Sequence, residues 1–219
     1  MSIKVVVFDL DNTLYDYDTC NALAEEKLFR TIAEEFGVTE EDAKKLLKNA
    51  KLDVKKQLGD EDAASHNRLL YMQNICEQAD KNPFLYAMKF YNVYWDTVLE
   101  NMEPFDYVVS LLDELKVKKI KIGILTDLTA HIQYRKIEKL GIGDRIDCLV
   151  TSEEAGAEKP SEKMFSLMLR KLCVKPEEVL MVGDSEEKDI VGAEAVGMKT
   201  LLYEKKLNSD LIEHIVTLL

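Results

Sequence analysis

Two aspartates, Asp9 and Asp11, follow directly on the apolar run Val5 to Phe8, with Thr13 two residues further on. A buried hydrophobic strand does not end in clustered negative charge unless something uses that charge. The same placing recurs along the chain. Thr126 closes the run KIGIL, Asp184 closes VLMVG, and Lys159 lies in the loop after CLVTS, just before a helix expected near Ser161. Asp189, five residues after Asp184, opens the next expected helix and can point back. If residues 3–8 form a strand, Asp9 and Asp11 share one side at its carboxyl end. Ligands of open α/β sheets bind at those ends, so these residues are expected to meet in one crevice.

The charge in that crevice decides what it can hold. Asp9, Asp11, Asp184 and Asp189 are carboxylates of reference pKa about 3.9, and within the set only Lys159 opposes them. Such a cluster needs a cation to stay ionised. Oxygen donors with no His or Cys among them select a hard ion, and Mg²⁺ is the natural choice. Any one of these aspartates alone reads as a loop residue or helix cap; the whole set, each member at its own strand end, does not.

The elements that must position the set are short and regular. Apolar β-rich runs at 3–8, 121–126, 148–152, 179–184 and 199–203 are mostly continuous rather than alternating, as in strands covered on both faces. Helical segments at 104–116, 130–140, 161–172, 186–196 and 208–218 alternate with them. Strand alternating with helix predicts an α/β fold, a Rossmann-like parallel sheet with right-handed crossovers. Gly37, Gly141 and Gly197 fit left-handed helix caps, and Pro83, Pro104 and Pro176 fit first helical turns. Between about residues 15 and 100 the alternation stops. Helices are expected at 20–36, 40–51, 61–79 and 84–101 with no strand, and Thr39 with Asp42 resembles a capping box. This reads as an inserted all-helical cap domain over 15–102, with the α/β core formed by 1–14 and 103–219. In FLYAMKFYNVYW, Phe84, Met88, Tyr91 and Trp95 share one face and Ala87, Phe90, Tyr94 and Val98 another, predicting a helix buried on most of its circumference.

Bulk properties narrow the function classes. The chain has 219 residues, 47% of them hydrophobic, enough for a sizeable core. A net charge of −12 argues against nucleic acid as a partner, while a local site can still reverse the sign for a small anion. Cys20, Cys76, Cys148 and Cys173 form no CxxC pair and read as small buried hydrophobes in a reducing cytoplasm. No signal-peptide pattern or membrane-length apolar run is present, so a cytoplasmic protein without a membrane partner is expected.

The motifs also match a family. DLDNT (9–13) resembles the DxDxT signature of the haloacid dehalogenase-like hydrolases, Thr126 its second motif, Lys159-Pro160 its third, and GDSEEKDI (183–190) its fourth. The insert resembles that family's small helical cap, which is expected to close over the site. The resemblance implies Asp9 as nucleophile, forming an aspartyl-phosphate, and Asp11 as general acid and then base. It implies Mg²⁺ on the Asp9 carboxylate, the Asp11 carbonyl and Asp184, with Thr126 and Lys159 on phosphoryl oxygens and Asp189 orienting the metal shell or Lys159. Family dehalogenases lack the second aspartate, so Asp11 points to an oxygen leaving group and to a phosphatase acting on a small phosphorylated metabolite, a sugar phosphate or nucleotide. A mutase is the alternative within the same chemistry. A non-catalytic binding protein predicts loss of Asp9, Asp11, Lys159 or Asp184, and all four are present. Asp127 stands where many relatives have Asn, and Leu128 where Gly is frequent. An extra carboxylate there suits a phosphate site only if it faces away or offers its backbone N–H alone. His131, His66 and Arg68 read as solvated helix residues, whereas Tyr15, Asp16 and Tyr17 are placed either to touch substrate or to form a hinge.

Overall fold

The computed structural model describes residues 2–59, 63–204 and 211–218. Strand β1 (Val5–Phe8) comes first, followed by helices α1 (Tyr17–Phe36), α2 (Glu40–Leu58), α3 (Arg68–Gln78) and α4 (Pro83–Glu100). The alternating part then runs α5 (Val108–Val117), β2 (Lys121–Thr126), α6 (Ala130–Leu140), β3 (Cys148–Thr151), α7 (Ser152–Ala155), α8 (Glu162–Leu172), β4 (Val179–Gly183), α9 (Gly192–Ala195), β5 (Lys199–Leu202) and α10 (Leu211–Leu218). Two compact units result, Met1–Asp16 with Glu103–Leu219, and Tyr17–Met102.

The first unit is the expected Rossmann-like α/β fold. Its five strands are all parallel in the order β3-β2-β1-β4-β5. The register aligns their carboxyl ends: Phe8 pairs with Ile124 and Val182, Thr126 with Thr151, and Gly183 with Leu202. From β1 the chain builds outward through β2 to β3, then returns to lay β4 on the other side of β1. The connections after β1 and β4 therefore leave in opposite directions and open a crevice between these strands, the usual ligand position of such sheets.

Every residue of β1 and β4 is buried, as the unbroken apolar runs require. The two-residue period sends Val5 and Val7 to the face that also gathers Met164, Phe165, Met168 and Leu172 of α8 and Ala193 of α9. Gly192 permits this closeness, because a Cβ there would lie 2.5 Å from the Phe165 ring.

In the second unit α1 packs on α4 and α2, and α3 packs between α2 and α4. The starts of α2, α3 and α4 are capped by side chains. Thr39 Oγ1 accepts from the Asp42 N–H at 3.1 Å, Asn67 Oδ1 from Leu69 at 2.9 Å, and Asn82 Oδ1 from Phe84 at 3.0 Å. Pro83 occupies a first-turn position of α4, where its missing N–H costs nothing. No helix of the described residues is long and apolar enough to cross a membrane.

Several boundaries differ from expectation. Helix α2 continues past residue 51 to Leu58, because Val54 extends its buried stripe, and Gly59 ends it at φ +86°. The expected helix from 61 begins at Arg68, after a 3₁₀ turn over Ala63–His66, because Asn67 caps it; residues 61 and 62 lie outside the described residues. The same holds for 208–210 of the last expected helix. Pro104 does not start α5; it bridges Tyr15 in an extended conformation and the helix begins at Val108. Helix α4 is not buried on most of its circumference. Ala87, Phe90, Tyr94, Trp95 and Val98 are buried, but Phe84, Leu85 and Met88 are 97%, 68% and 53% exposed, because its first two turns pack on one side only. Cys173 is exposed, at the left-handed end of α8, rather than buried.

Removing the Phe165 ring is expected to leave a cavity between α8 and the sheet. Phe165→Ala should lower the unfolding free energy by about 3–5 kcal/mol, measured by urea denaturation. A loss below about 1 kcal/mol would show that this contact does not hold α8 in place.

Candidate active site

Asp9 follows β1 immediately, and its backbone N–H continues the sheet by donating to Val182 O at 2.9 Å. The chain then turns sharply. Asn12 takes a left-handed backbone at φ +63°, which asparagine tolerates better than most residues, and Leu14 N–H closes the turn on Leu10 O at 3.0 Å. That turn leaves Asp9 buried at 6% exposure, while the Asp11 side chain stays 22% exposed.

Lys159 ties two of the strand-end loops together. Its Nζ donates to Asp9 Oδ1 at 2.5 Å and to Asp189 Oδ1 at 2.7 Å, with all three residues buried. Asp189 Oδ2 accepts the Ser185 N–H at 3.1 Å. The backbone that delivers Asp189 is unusual: Glu186–Val191 form a π-helical turn in which both Asp189 N–H and Ile190 N–H reach Ser185 O. The single helix expected over 186–196 is therefore split. Gly183 is obligatory here, since a Cβ on it would lie 2.3 Å from Asp189 Oδ2.

Asp184 is exposed, and one carboxylate oxygen from each of Asp9, Asp184 and Asp189 lies within 4.8 Å of the others. Three carboxylates this close, with no nitrogen or sulfur donor among them, fit a hard divalent cation. The Asp11 carboxylate is not part of the group. It faces Lys136, whose Nζ donates to both of its oxygens at 2.8 and 2.7 Å, and Tyr15, whose hydroxyl donates to Oδ1 at 2.6 Å. Lys159 is thus not the sole cation opposing the acidic set, as the strand-end residues alone had implied.

Thr126 ends β2 and is buried. Its Oγ1 accepts from Gln133 Nε2 at 2.8 Å, and the same amide nitrogen donates to Asp127 O at 2.5 Å. The side chain of Asp127 is fully engaged elsewhere: Oδ1 accepts the Lys159 backbone N–H at 3.0 Å and Oδ2 accepts Lys188 Nζ at 2.8 Å. The extra carboxylate is thereby neutralised and turned to loop bracing. Leu128 sits at φ +85°, a strained position for a branched side chain.

Gln133 and Lys136 were missed from sequence. Both project from α6 and are fully buried, beside Ile132, Ile137 and Leu140. Two polar residues on the apolar stripe of an amphipathic helix were the available signal. His131 is exposed, as expected. His66 and Arg68 are half-buried in the helical unit, where Arg68 donates to His66 O and Tyr17 Oη at 2.9 Å each and lies over the Tyr71, Tyr94 and Trp95 rings. The solvated face expected for them is replaced by an internal cation–π cluster.

Electrostatics follow the burial. Desolvation pushes the Asp9 carboxyl up, to about 8, with Asp189 and Asp11 adding to the shift and Lys159 opposing it. Burial alone would lower the Lys159 pKa, but the carboxylates of Asp9, Asp189 and Asp127 outweigh it and raise it, so the ammonium stays charged.

Residues 6–203 match the haloacid dehalogenase-like hydrolase family, and the chain belongs to it. It is 38% identical over 211 residues to a ribulose-1,5-bisphosphate 5-phosphatase of Halopiger xanaduensis, covering 95% of this chain and 87% of that protein. To a glyceraldehyde 3-phosphate phosphatase of Methanopyrus kandleri it is 34% identical, again over 95% and 87% of the two chains. Among solved structures, the putative hydrolase YfnB of Bacillus subtilis, bound to magnesium, superposes with a TM-score of 0.67 at 20% identity, covering 92% of this chain and 89% of that one.

Gly183→Ala is expected to push Asp189 aside and release Lys159 from its bridge. Displacement on the order of 1 Å at such a site costs roughly 10²-fold in turnover. A phosphatase assay beside a circular dichroism spectrum checks this; a fully active variant would show that the contact can relax without cost.

Proposed function

We propose that this chain, a phosphatase of the haloacid dehalogenase-like family, hydrolyses a small sugar phosphate or nucleotide with Mg²⁺ as cofactor, through an aspartyl-phosphate on Asp9. The observation that carries this reading is the pair of unlike carboxylates on one loop. Asp9 is buried against Lys159, while Asp11 remains partly open and is held by other groups. A halide leaves without a proton, whereas an alkoxide needs one, so the second carboxylate suits an ester of phosphoric acid.

In the first step an Asp9 carboxylate oxygen attacks phosphorus, the bond from phosphorus to the ester oxygen breaks, and Asp11 gives that oxygen its proton. Asp11, now ionised, takes a proton from water as the water attacks the same phosphorus. The bond to Asp9 breaks and inorganic phosphate leaves. Lys159 and the Thr126 hydroxyl hold phosphoryl oxygens through both steps, and fixed donors of this kind cost no reorganisation as charge develops. Gln133 occupies a lone pair of Thr126 Oγ1, and the threonine hydroxyl donates to Asp127 O at 3.3 Å, a long bond in which a phosphoryl oxygen would have to replace that carbonyl as acceptor. Mg²⁺ on the Asp9 carboxylate, the Asp11 carbonyl and Asp184 would supply charge that offsets the repulsion between two anions. Asp189 would keep Lys159 in place. The names of the curated relatives support a sugar phosphate as the substrate class.

Asp9→Asn is expected to abolish turnover, at least about 10³-fold, with the fold intact, because an amide cannot attack phosphorus. Hydrolysis of p-nitrophenyl phosphate and a panel of sugar phosphates measures it, and retained activity would remove Asp9 from the role. The raised Asp9 pKa gives a second expectation. Asp9 must lose its proton to bind a cation, so Mg²⁺ affinity should rise as pH increases toward and through about 8, with proton release on binding. Calorimetric titration in two buffers of different ionisation heat reads this directly. A pH-independent affinity without proton release would exclude a protonated Asp9 in the metal-free site.

A further inference from the structure

We propose that Lys136 is a positioning residue: it fixes the Asp11 carboxylate for proton transfer, with Tyr15 as its second support, and leaves Oδ2 as the oxygen that exchanges the proton. The inference rests on the reading of Asp11 as the acid and base of the reaction.

The geometry is that of a built holder rather than a surface ion pair. The Lys136 side chain has no exposure and its Nζ contacts both Asp11 oxygens. A buried ammonium is unfavourable unless paired, and most exposed lysine–carboxylate pairs are weak and mobile. Here the lysine is sealed in the protein while its partner carboxylate reaches the site edge at 22% exposure. The ammonium also lies 5.9 Å from the centre of the Tyr15 ring. Tyr15 is itself immobilised, fully buried and bridged to both Asp11 and Pro104 through the backbone.

The two carboxylate oxygens are not equivalent. Oδ1 accepts from both Tyr15 and Lys136, which uses its two lone pairs. Oδ2 accepts only from Lys136 among the described residues and retains one. Separate lysines thus divide the carboxylates of the β1 loop. Lys159 on the α8 side takes Asp9, and Lys136 on α6 takes Asp11, which keeps the two side chains turned apart.

The test compares kcat/KM for two probes, p-nitrophenyl phosphate, whose leaving group needs little protonation, and an alkyl phosphate, glycerol phosphate, whose leaving group needs it fully. This constant reports the steps up to alcohol release. Asp11→Asn serves as control and should lower the alkyl ester much more than the aryl ester. Lys136→Met, which keeps the stem and removes the charge, should lower the alkyl value by about 10²-fold and the aryl value by less than about tenfold. Lys136→Arg should recover part of the loss, and Tyr15→Phe should give the same split at smaller amplitude. Equal losses on both probes for every Lys136 and Tyr15 variant, with Asp11→Asn still splitting them, would overturn the inference alone. No split in Asp11→Asn would overturn the acid–base reading and this inference with it. If Lys136→Met does not fold, Lys136→Arg and Tyr15→Phe decide by the same ratio.

Discussion

Repulsion among carboxylates is the constraint on which this site depends. Asp9, Asp11, Asp127 and Asp184 in loops and Asp189 in a π-helical turn follow strands at one edge of one sheet, in a chain that is already strongly acidic. The structure answers each buried or half-buried charge separately. Lys159 bridges Asp9 and Asp189, Lys136 holds Asp11, and Lys188 holds Asp127. Asp184, exposed beside Asp9 and Asp189, has the position most open to an external cation. Charge balance here is a matter of assignment, lysine by lysine, rather than of net sign.

That assignment requires backbone precision which regular elements cannot supply. The strands bring the loops to a common edge, but the loops themselves depart from ordinary geometry. Asn12 and Leu128 take positive φ, a π-helical turn swings Asp189 under Lys159, and Gly183 leaves room for its carboxylate. Unfavourable local conformations of this sort cost roughly 1–3 kcal/mol each and persist only where surrounding packing fixes them. The fully buried β1 and β4 and the α8 layer beneath them are that packing. Stability of the core and geometry of the site are therefore linked.

Helix α6 connects these two levels. Its apolar residues are buried in the α/β unit, and its two buried polar side chains reach Thr126 and Asp11. Burying an amide and an ammonium on a core-facing stripe is costly, and hydrogen bonding to site residues offsets that cost.

The sequence by itself determined the parallel α/β core, the inserted helices, and the strand-end positions of Asp9, Asp11, Thr126, Lys159, Asp184 and Asp189. These follow from periodicity and chain order, which are local properties. It also carried the family motifs. Tertiary structure alone decided who partners whom. Lys136, 125 residues from Asp11 in sequence, could not be paired with it from spacing, nor Lys188 with Asp127 across 61 residues. The start of α5 lies at Val108 rather than Pro104 because Pro104 bridges Tyr15, and Phe84 and Met88 are exposed because no neighbour among the described residues covers the start of α4. Local pattern states what each residue prefers. Long-range pairing and burial, which depend on the folded arrangement of distant segments, state what each residue obtains.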